Sequence, residues 1–301
     1  MKAYEWMTLH TPQTEWIERR GIFLWLAFFF IELGAGMFFV ASLFHSTIAM
    51  AAGWLVCGLL GGGFHLIFLG KPLRFWRMAI SSGWKTSWIS RGLIFVSIFL
   101  LLALVHIALA QWTNSSTGLV IAADVFAFLT IIYGGFAMNY VNGIALWNTA
   151  LLPILYLVSG LWGGAEVTLG IVLAGGGIGA AHNIEDWIRV LLIGFVILIP
   201  VYLVSVRYNL SAGQASLKAI VLGKWSPLFW VGVVITGMAV PLAAVIISFL
   251  SGLESLPISF VYLAIACGLL GDLAMRYLIL RCGFYTPLVS FSDHMRVPVP
   301  G

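Results

Sequence analysis

Four carboxylic acids stand inside stretches that are otherwise hydrocarbon: Glu32 in FFFIELGAGMFF, Asp124, Glu166, and Asp272 in GDLAMRYLIL. An ionisable side chain in an apolar span is costly enough that it is either paired or used, so each is a candidate for holding or passing a proton. Asp272 and Arg276 are spaced i,i+4 with the acid first, the favoured order for an ion pair on one helix face. That pair either neutralises itself or takes part in chemistry. Glu32 has no cation within one helical turn in sequence, which points to function. Asp124 and Glu166 lie nearer the opposite ends of their spans, where an interfacial position is the competing reading. Glu32, Tyr133 and Asp272 fall in one half of the membrane depth, Asp124 and Glu166 in the other. Together with Arg276 these groups make a partial proton path if they touch, and are isolated acids if they do not.

Metal chemistry finds no footing. Cys57, Cys267 and Cys282 are scattered in apolar surroundings with no CxxC, which excludes a zinc site, and an iron–sulfur cluster needs more ligands at set spacing. Haem with two axial histidines needs both at one depth. His65 and His106 lie at opposite ends of neighbouring spans, and His45 and His182 sit at helix ends where water reaches them. No haem or iron–sulfur cluster is expected on this protein. His65 is either a donor in a ligand site or a satisfied core residue.

The elements that must position these groups are membrane helices. The chain has 301 residues, 61% hydrophobic and only 9% charged, with a mean hydropathy of +1.05; a soluble protein carries about 25% charged residues. An all-α integral membrane protein with the lipid bilayer as its main partner is expected. The pI near 9.1 argues poorly for nucleic acid, because the few cations cluster beside apolar runs. Eight runs are long enough to cross the bilayer: 21–45, 49–69, 89–111, 117–140, 147–178, 186–207, 227–250 and 257–281. The fifth is long and glycine-rich, so it either tilts or breaks near Gly175, and a broken span would be a cavity wall. Residues 1–20 read as an amphipathic segment without the apolar core of a cleavable signal, 21–281 as the transmembrane domain and 282–301 as a tail.

An even number of spans puts both termini on one side. On that side lie all of the 15 lysines and arginines except Arg189. The positive-inside rule makes it the cytoplasmic face, although a basic face that docks an acidic partner would produce the same asymmetry. The strongest basic feature is residues 65–92, HLIFLGKPLRFWRMAISSGWKTSWISRG, with Lys71, Arg74, Arg77, Lys85 and Arg91, three tryptophans and no acid. Its Trp and Arg/Lys residues suit anchoring in the headgroup zone. The density of donors exceeds what anchoring needs and suits docking of an acidic subunit or a polar headgroup.

These motifs together carry a resemblance. FLGKPLRFWRM followed by TSWISRG, ELGAGMFF in the first span, YGGFAM and ALWNTALLPILYLVSGLWGG across the fourth and fifth, and GDLAMRYLILRCG at the end resemble, in order and over nearly the whole chain, the polysulfide reductase membrane-subunit (NrfD-like) family. The resemblance implies an eight-helix quinone-binding anchor without its own redox centre. Such an anchor works beside a ferredoxin-like iron–sulfur subunit and usually a molybdopterin catalytic subunit in a bacterial or archaeal cytoplasmic membrane, exchanging electrons with a menaquinone or ubiquinone pool. YGGFAM places the family's quinone-site tyrosine at Tyr133, which would otherwise be an interfacial belt residue. Where relatives carry an Asn/His pair early in span one, this sequence has GIFLWLAFFF, and Glu32 is the nearest polar group.

A quinone ring needs apolar walls, a donor at each carbonyl and a proton source. Tyr133, His65, Glu32 and Asp272 are the candidates, with Gly134 and Gly135 letting a ring lie close to backbone. Two other readings stand beside this one: a proton or solute transporter using the same acids, and a passive anchor with no quinone site. The sign of duplicated halves that a transporter leads one to seek is weak, KPLRFW against SPLFWVG.

Overall fold

The computed structural model describes residues 5–80, 82–110 and 117–288. Lys2 and Arg296, two of the basic residues of the terminal side, lie outside them, as does most of the expected tail. Eight helices are long and apolar enough to span a bilayer: α1 (Gly21–Leu43), α2 (Thr47–Leu69), α3 (Trp88–Ala110), α4 (Thr117–Asn139), α5 (Leu151–Ala174), α6 (Ile178–Arg207), α7 (Leu228–Ser251) and α8 (Ile258–Arg281). Each exceeds the ~20 residues that the hydrocarbon demands. With no water at that depth, every backbone donor and acceptor must be satisfied within its own helix.

The helices close into two groups. α1, α2, α3 and α4 pack in a ring, as do α5, α6, α7 and α8, with α6 and α7 the lightest neighbours; α1 against α5 and α8, and α4 against α5, join the rings. Two helices depart from α geometry. Val56–Gly62 within α2 and Leu228–Ala239 within α7 are wound with the wider i→i+5 turn.

Two expected boundaries are corrected. The fifth span runs from Leu151 to Ala174 rather than from 147 to 178, and the helix stops at Gly175, the expected place of a break. Residues 140–150 form a connector: the buried Trp147 donates its indole N–H to the Ile279 carbonyl at 2.7 Å, and the Tyr202 hydroxyl donates to the Leu146 carbonyl at 2.6 Å. Pro153 is tolerated because it falls in the first turn. At the other end Gly175–Gly177 turns the backbone, with Gly176 at φ +76°. The sixth span begins at Ile178 rather than 186. The polar stretch HNIED is therefore helical, and Ala181, Ile184, Glu185, Ile188 and Leu192 form its buried stripe.

The segments flanking the bundle are paired. Thr11–Pro12 (β1) runs antiparallel to Phe284–Tyr285 (β2), and the Gln13 N–H donates to the Gly283 carbonyl at 2.8 Å. The Gln13 side-chain amide donates to the Leu280 carbonyl at 2.7 Å, satisfying one of the acceptors that the end of α8 leaves free.

The seam between α1 and α5 depends on glycine. A Cβ on Gly36 would strike the Gly160 carbonyl, and one on Gly164 would lie 2.5 Å from the Met37 amide nitrogen and 2.6 Å from the Gly36 carbonyl oxygen. The GxxxG spacing of Gly160 and Gly164 is the one that lets two membrane helices meet backbone to backbone. Gly164→Ala should therefore cost about 1–3 kcal/mol, the usual range for overpacking. Gly179→Ala, where nothing lies within 4 Å, should be neutral or slightly stabilising. Thermal midpoints of the two purified full-length variants would check the contrast.

Candidate functional site

The ionisable residues of the hydrocarbon do not stand alone. Glu32, fully buried on α1, accepts a hydrogen bond through Oε2 from Nη1 of Arg276 on α8. Arg276 donates from Nε to Asp272 Oδ2 at 2.9 Å and from Nη2 to Ser159 Oγ on α5 at 2.6 Å. Its guanidinium also lies over the Tyr156 ring at 4.5 Å. One cation thus draws acceptors from three helices. Glu32 reads as unpaired in sequence because its cation is 244 residues away. Ser159, which nothing in the sequence singles out, completes the set.

The second Glu32 oxygen, Oε1, is buried with no hydrogen-bond partner among the described residues. It sits against Gly134 on α4, where a Cβ would collide with it. The expectation that Gly134 and Gly135 give a flat ring access to backbone is corrected. Glu32 fills the space beside Gly134, and a Cβ on Gly135 would lie 2.5 Å from Pro153 Cα. Both serve helix packing, and neither is among the residues that line the cavities at Tyr133.

Tyr133, the preceding residue, lines both. Two adjoining cavities, of about 250 and about 210 Å³, share Tyr133, His65, Leu69, Met78 and Ile89. Their walls come from α1 through Phe28 and Ile31, from the widened part of α2 through Gly58 and Gly62, and from α3. α2 and α3 bury the least of themselves among the eight helices, so the space lies on the side of the bundle that faces lipid. Phe28 stands edge-on to both Tyr133 and His65, with ring centres 6.1 and 6.2 Å away. The Tyr133 ring lies flat on α3 at Gly92, where any Cβ would strike it.

Polar groups inside this apolar space are few: Tyr133, His65 and Ser97 line it, and His65 Nδ1 is buried with no hydrogen-bond partner among the described residues. The arrangement can hold a flat apolar molecule and offer it a hydroxyl and an imidazole. Gly92 does not stand out in sequence. Its only signal is a glycine at the start of a span, which is common at a helix end for other reasons.

The basic loop covers this end. Phe75 and Met78 line the larger cavity from above, while Lys71, Arg74, Arg77 and Lys85 are exposed and form no ion pair among the described residues. Arg91 differs from its expected place on the docking face. Its Nε donates to the Trp84 carbonyl at 3.0 Å and Nη2 to the Lys85 carbonyl at 2.5 Å. The guanidinium lies 4.9 Å from the Trp88 ring centre, and Trp88 stacks on Phe136 at 4.5 Å. Arg91 is spent on holding the loop's shape.

The remaining acids lie apart. Asp124 accepts from Ser42 Oγ at 2.9 Å, joining α4 to α1, and touches none of the other acids. Glu166 on α5 packs on Gly268 of α8, one turn before Asp272, where a Cβ would lie 2.6 Å from Oε2. His106 is buried, at the opposite end of the first helix ring from His65. Among the described residues no group of three or more His, Cys, Asp or Glu converges.

Comparison with known proteins agrees along nearly the whole length. The family model described as polysulphide reductase, NrfD, matches residues 10–288. The protein is 23% identical over 315 residues to a protein named NrfD homolog from Haemophilus influenzae, covering 92% of this sequence and 97% of that one. It is 25% identical over 261 residues to the C subunit of polysulfide reductase from Wolinella succinogenes, covering 77% and 81%. It is 26% identical over 276 residues to protein NrfD of Escherichia coli, covering 82% and 84%.

The four-way junction at Arg276 can be tested as a unit. Arg276→Met leaves two buried acids without their cation and should cost about 3–5 kcal/mol, as removal of one partner of a buried ion pair generally does. Adding Glu32→Gln should recover part of that loss. Strictly additive losses in a double-mutant cycle of thermal stability would show that the two residues do not interact.

Proposed function

This chain belongs to the polysulphide reductase NrfD family, and from that membership we propose that it exchanges electrons with a membrane quinone at the Tyr133–His65 cavity. It does so as the multi-pass membrane subunit of a respiratory oxidoreductase complex. The observation that carries this reading is the cavity itself: mostly apolar, lined by the two least buried helices, and holding the Tyr133 and Ser97 side chains and a His65 imidazole whose Nδ1 has no hydrogen-bond partner among the described residues. A lipid-soluble ring would enter from the bilayer, where such molecules reside, and would find walls of Phe28, Ile31 and Leu69 with few polar groups, Tyr133, His65 and Ser97 among them. Pockets of this kind fix orientation with few polar contacts and derive affinity from the apolar walls. Menaquinone and ubiquinone heads both suit that chemistry.

Quinol oxidation releases two electrons and two protons, and quinone reduction takes them up. The residues of this protein handle the protons. Tyr133 presents its hydroxyl to the cavity, and His65 presents an imidazole that accepts or donates. Behind Tyr133, Glu32 points Oε1 at Gly134. The Glu32–Arg276–Asp272 group holds two carboxyls for one guanidinium. Buried this deeply, it is electrically neutral when it retains one proton, and uncompensated charge there is costly. It is thus a proton store that abuts α4 at Gly134, the residue next to Tyr133 of the cavity.

The electrons are proposed to pass to or from a ferredoxin-like iron–sulfur subunit, itself next to a molybdopterin or other catalytic subunit. The Wolinella succinogenes relative is by its name one component of a multi-subunit reductase. The exposed cations Lys71, Arg74, Arg77 and Lys85 suit an acidic partner surface, and the same loop roofs the cavity through Phe75 and Met78, so docking and chemistry are neighbours. A bacterial or archaeal cytoplasmic membrane is the proposed location.

Two experiments on the intact complex test this. Tyr133→Phe removes a hydroxyl and nothing else, and should lower quinol-linked turnover by about 10²-fold or more, the scale of a lost proton-transfer group. Glu32→Gln should lower it as well. Unchanged rates in both would overturn the site assignment, and failure of a quinone-site inhibitor to bind the wild-type complex would favour a passive anchor. Separately, Arg74→Glu with Arg77→Glu should weaken retention of the soluble subunits, and the deficit should shrink as ionic strength rises, because exposed charges are screened within about 10 Å at 0.1 M salt.

A further inference from the structure

The second helix ring has its own cavity, at the end of the bundle away from the basic loop. It is small, about 40 Å³, and is lined by Glu166 of α5, Glu185 of α6, Ser248 of α7 and otherwise apolar side chains including Pro241, Val261 and Ala264. All three polar residues are 3% exposed. Glu166 Oε2, Glu185 Oε2 and Ser248 Oγ are each buried with no hydrogen-bond partner among the described residues. Three unpartnered polar atoms on three helices, all around one cavity, is a concentration that buried polar groups otherwise avoid.

We propose that this cavity is a hydrated proton-holding site, in which water bridges the Glu166 and Glu185 carboxyls and the pair shares one proton. The volume suits two or three waters, since each needs roughly 10–15 Å³ of such space and two to four polar partners. The charges around it argue for the shared proton. On α6, Glu185 Oε1 accepts from Arg189 Nη2 at 2.8 Å, and Arg189 also donates from Nη1 to Asp186 at 2.7 Å. One guanidinium therefore serves two acids before Glu166 is counted. On α8 the nearest ionisable group to Glu166 is Asp272, one turn beyond Gly268, and α7 contributes only the Ser248 hydroxyl. Both carboxyls line one small buried cavity with Arg189 as the cation beside Glu185, so full ionisation would leave uncompensated negative charge, which is costly to bury, and one retained proton removes it.

The site is one residue from water at its outer end. Glu185 is sealed, but Arg189 is about a quarter exposed and Asp186 two-thirds exposed on their side chains. At its inner end Glu166 packs on Gly268 of α8, one turn before Asp272, which belongs to the Arg276 group. The cavity thus gives that group a route to the face opposite the basic loop. The proposal stands on this cavity alone and does not require a quinone at Tyr133.

Infrared spectroscopy on the purified full-length protein in lipid nanodiscs reads such a proton directly. A protonated-carboxyl band should shift on transfer to D2O within the exchange time of water-accessible groups. Glu166→Gln and Glu185→Gln should each remove or displace it, and Ser248→Ala should displace it by disturbing the hydration. A band indifferent to all three variants would overturn the proposal. So would a band that responds to added sodium rather than to D2O, or a high-resolution map in which the cavity is dry. Should Glu185→Gln fail to fold, Ser248→Ala and Glu166→Gln retain the test. Binding of a quinone-site inhibitor, measured in the same preparations, should be unchanged by Ser248→Ala, which separates failure here from failure at Tyr133.

Discussion

A guanidinium that is always charged, placed where no water reaches, must find its acceptors in protein. Arg276 finds them on three helices: Asp272 on its own, Glu32 on α1 and Ser159 on α5. Because α1 belongs to one ring of four helices and α5 and α8 to the other, this single cation sits at the joint of the molecule. Meeting its geometry fixes the rotation and depth of all three helices. The close approach of α1 and α5 at Gly36, Gly160 and Gly164 follows the same requirement, since the Ser159 hydroxyl and the Glu32 carboxylate reach one guanidinium only if the backbones nearly touch.

That joint also divides the space inside the bundle. In the first ring the apolar cavity of Tyr133 and His65 lies beneath the basic loop; in the second the small polar cavity of Glu166 and Glu185 lies toward the opposite end. Between them stand Glu32, Arg276 and Asp272. The first cavity is wide and mostly apolar, suited to a flat molecule arriving from lipid. The second is too small for anything but water or an ion. The same buried charges that hold the helices together stand between these two environments, so under the proposed reading one set of side chains serves both stability and proton transfer.

The basic loop shows how local chemistry divides labour among residues of one type. Five cations over a short stretch look equivalent in sequence. In the fold, Arg91 turns back on the loop carbonyls and Trp88, which shapes the loop, while Phe75 and Met78 turn down to roof the cavity. Lys71, Arg74, Arg77 and Lys85 are left facing outward. An arginine satisfies two backbone carbonyls with its planar fork, a task for which a lysine's point charge is less suited, and that difference separates Arg91 from its neighbours.

The eight spans, the membrane class and the family are legible in the sequence, because hydrocarbon thickness imposes a run of apolar residues that no folding pattern can disguise. The presence of Glu32, Asp272 and Arg276 in those runs, and of Tyr133 in YGGFAM, is legible for the same reason: polar residues stand out against an apolar background. Which of them touch is not. Glu32 and Arg276 are far apart in sequence, and α1 and α8 meet only through tertiary packing. Gly134 and Gly135 read as room for a ligand, whereas packing gives that room to Glu32 and Pro153. Glu185 does not stand out because HNIED reads as a loop, although the buried stripe of Ala181, Ile184, Ile188 and Leu192 carries its helical period. Sequence alone determined that this protein crosses a membrane eight times carrying buried acids. Only the tertiary structure decided which acids share a cation, which face a cavity and which stand apart, because side-chain pairing depends on helix rotation and depth, and these are set by contacts between segments that sequence order does not bring together.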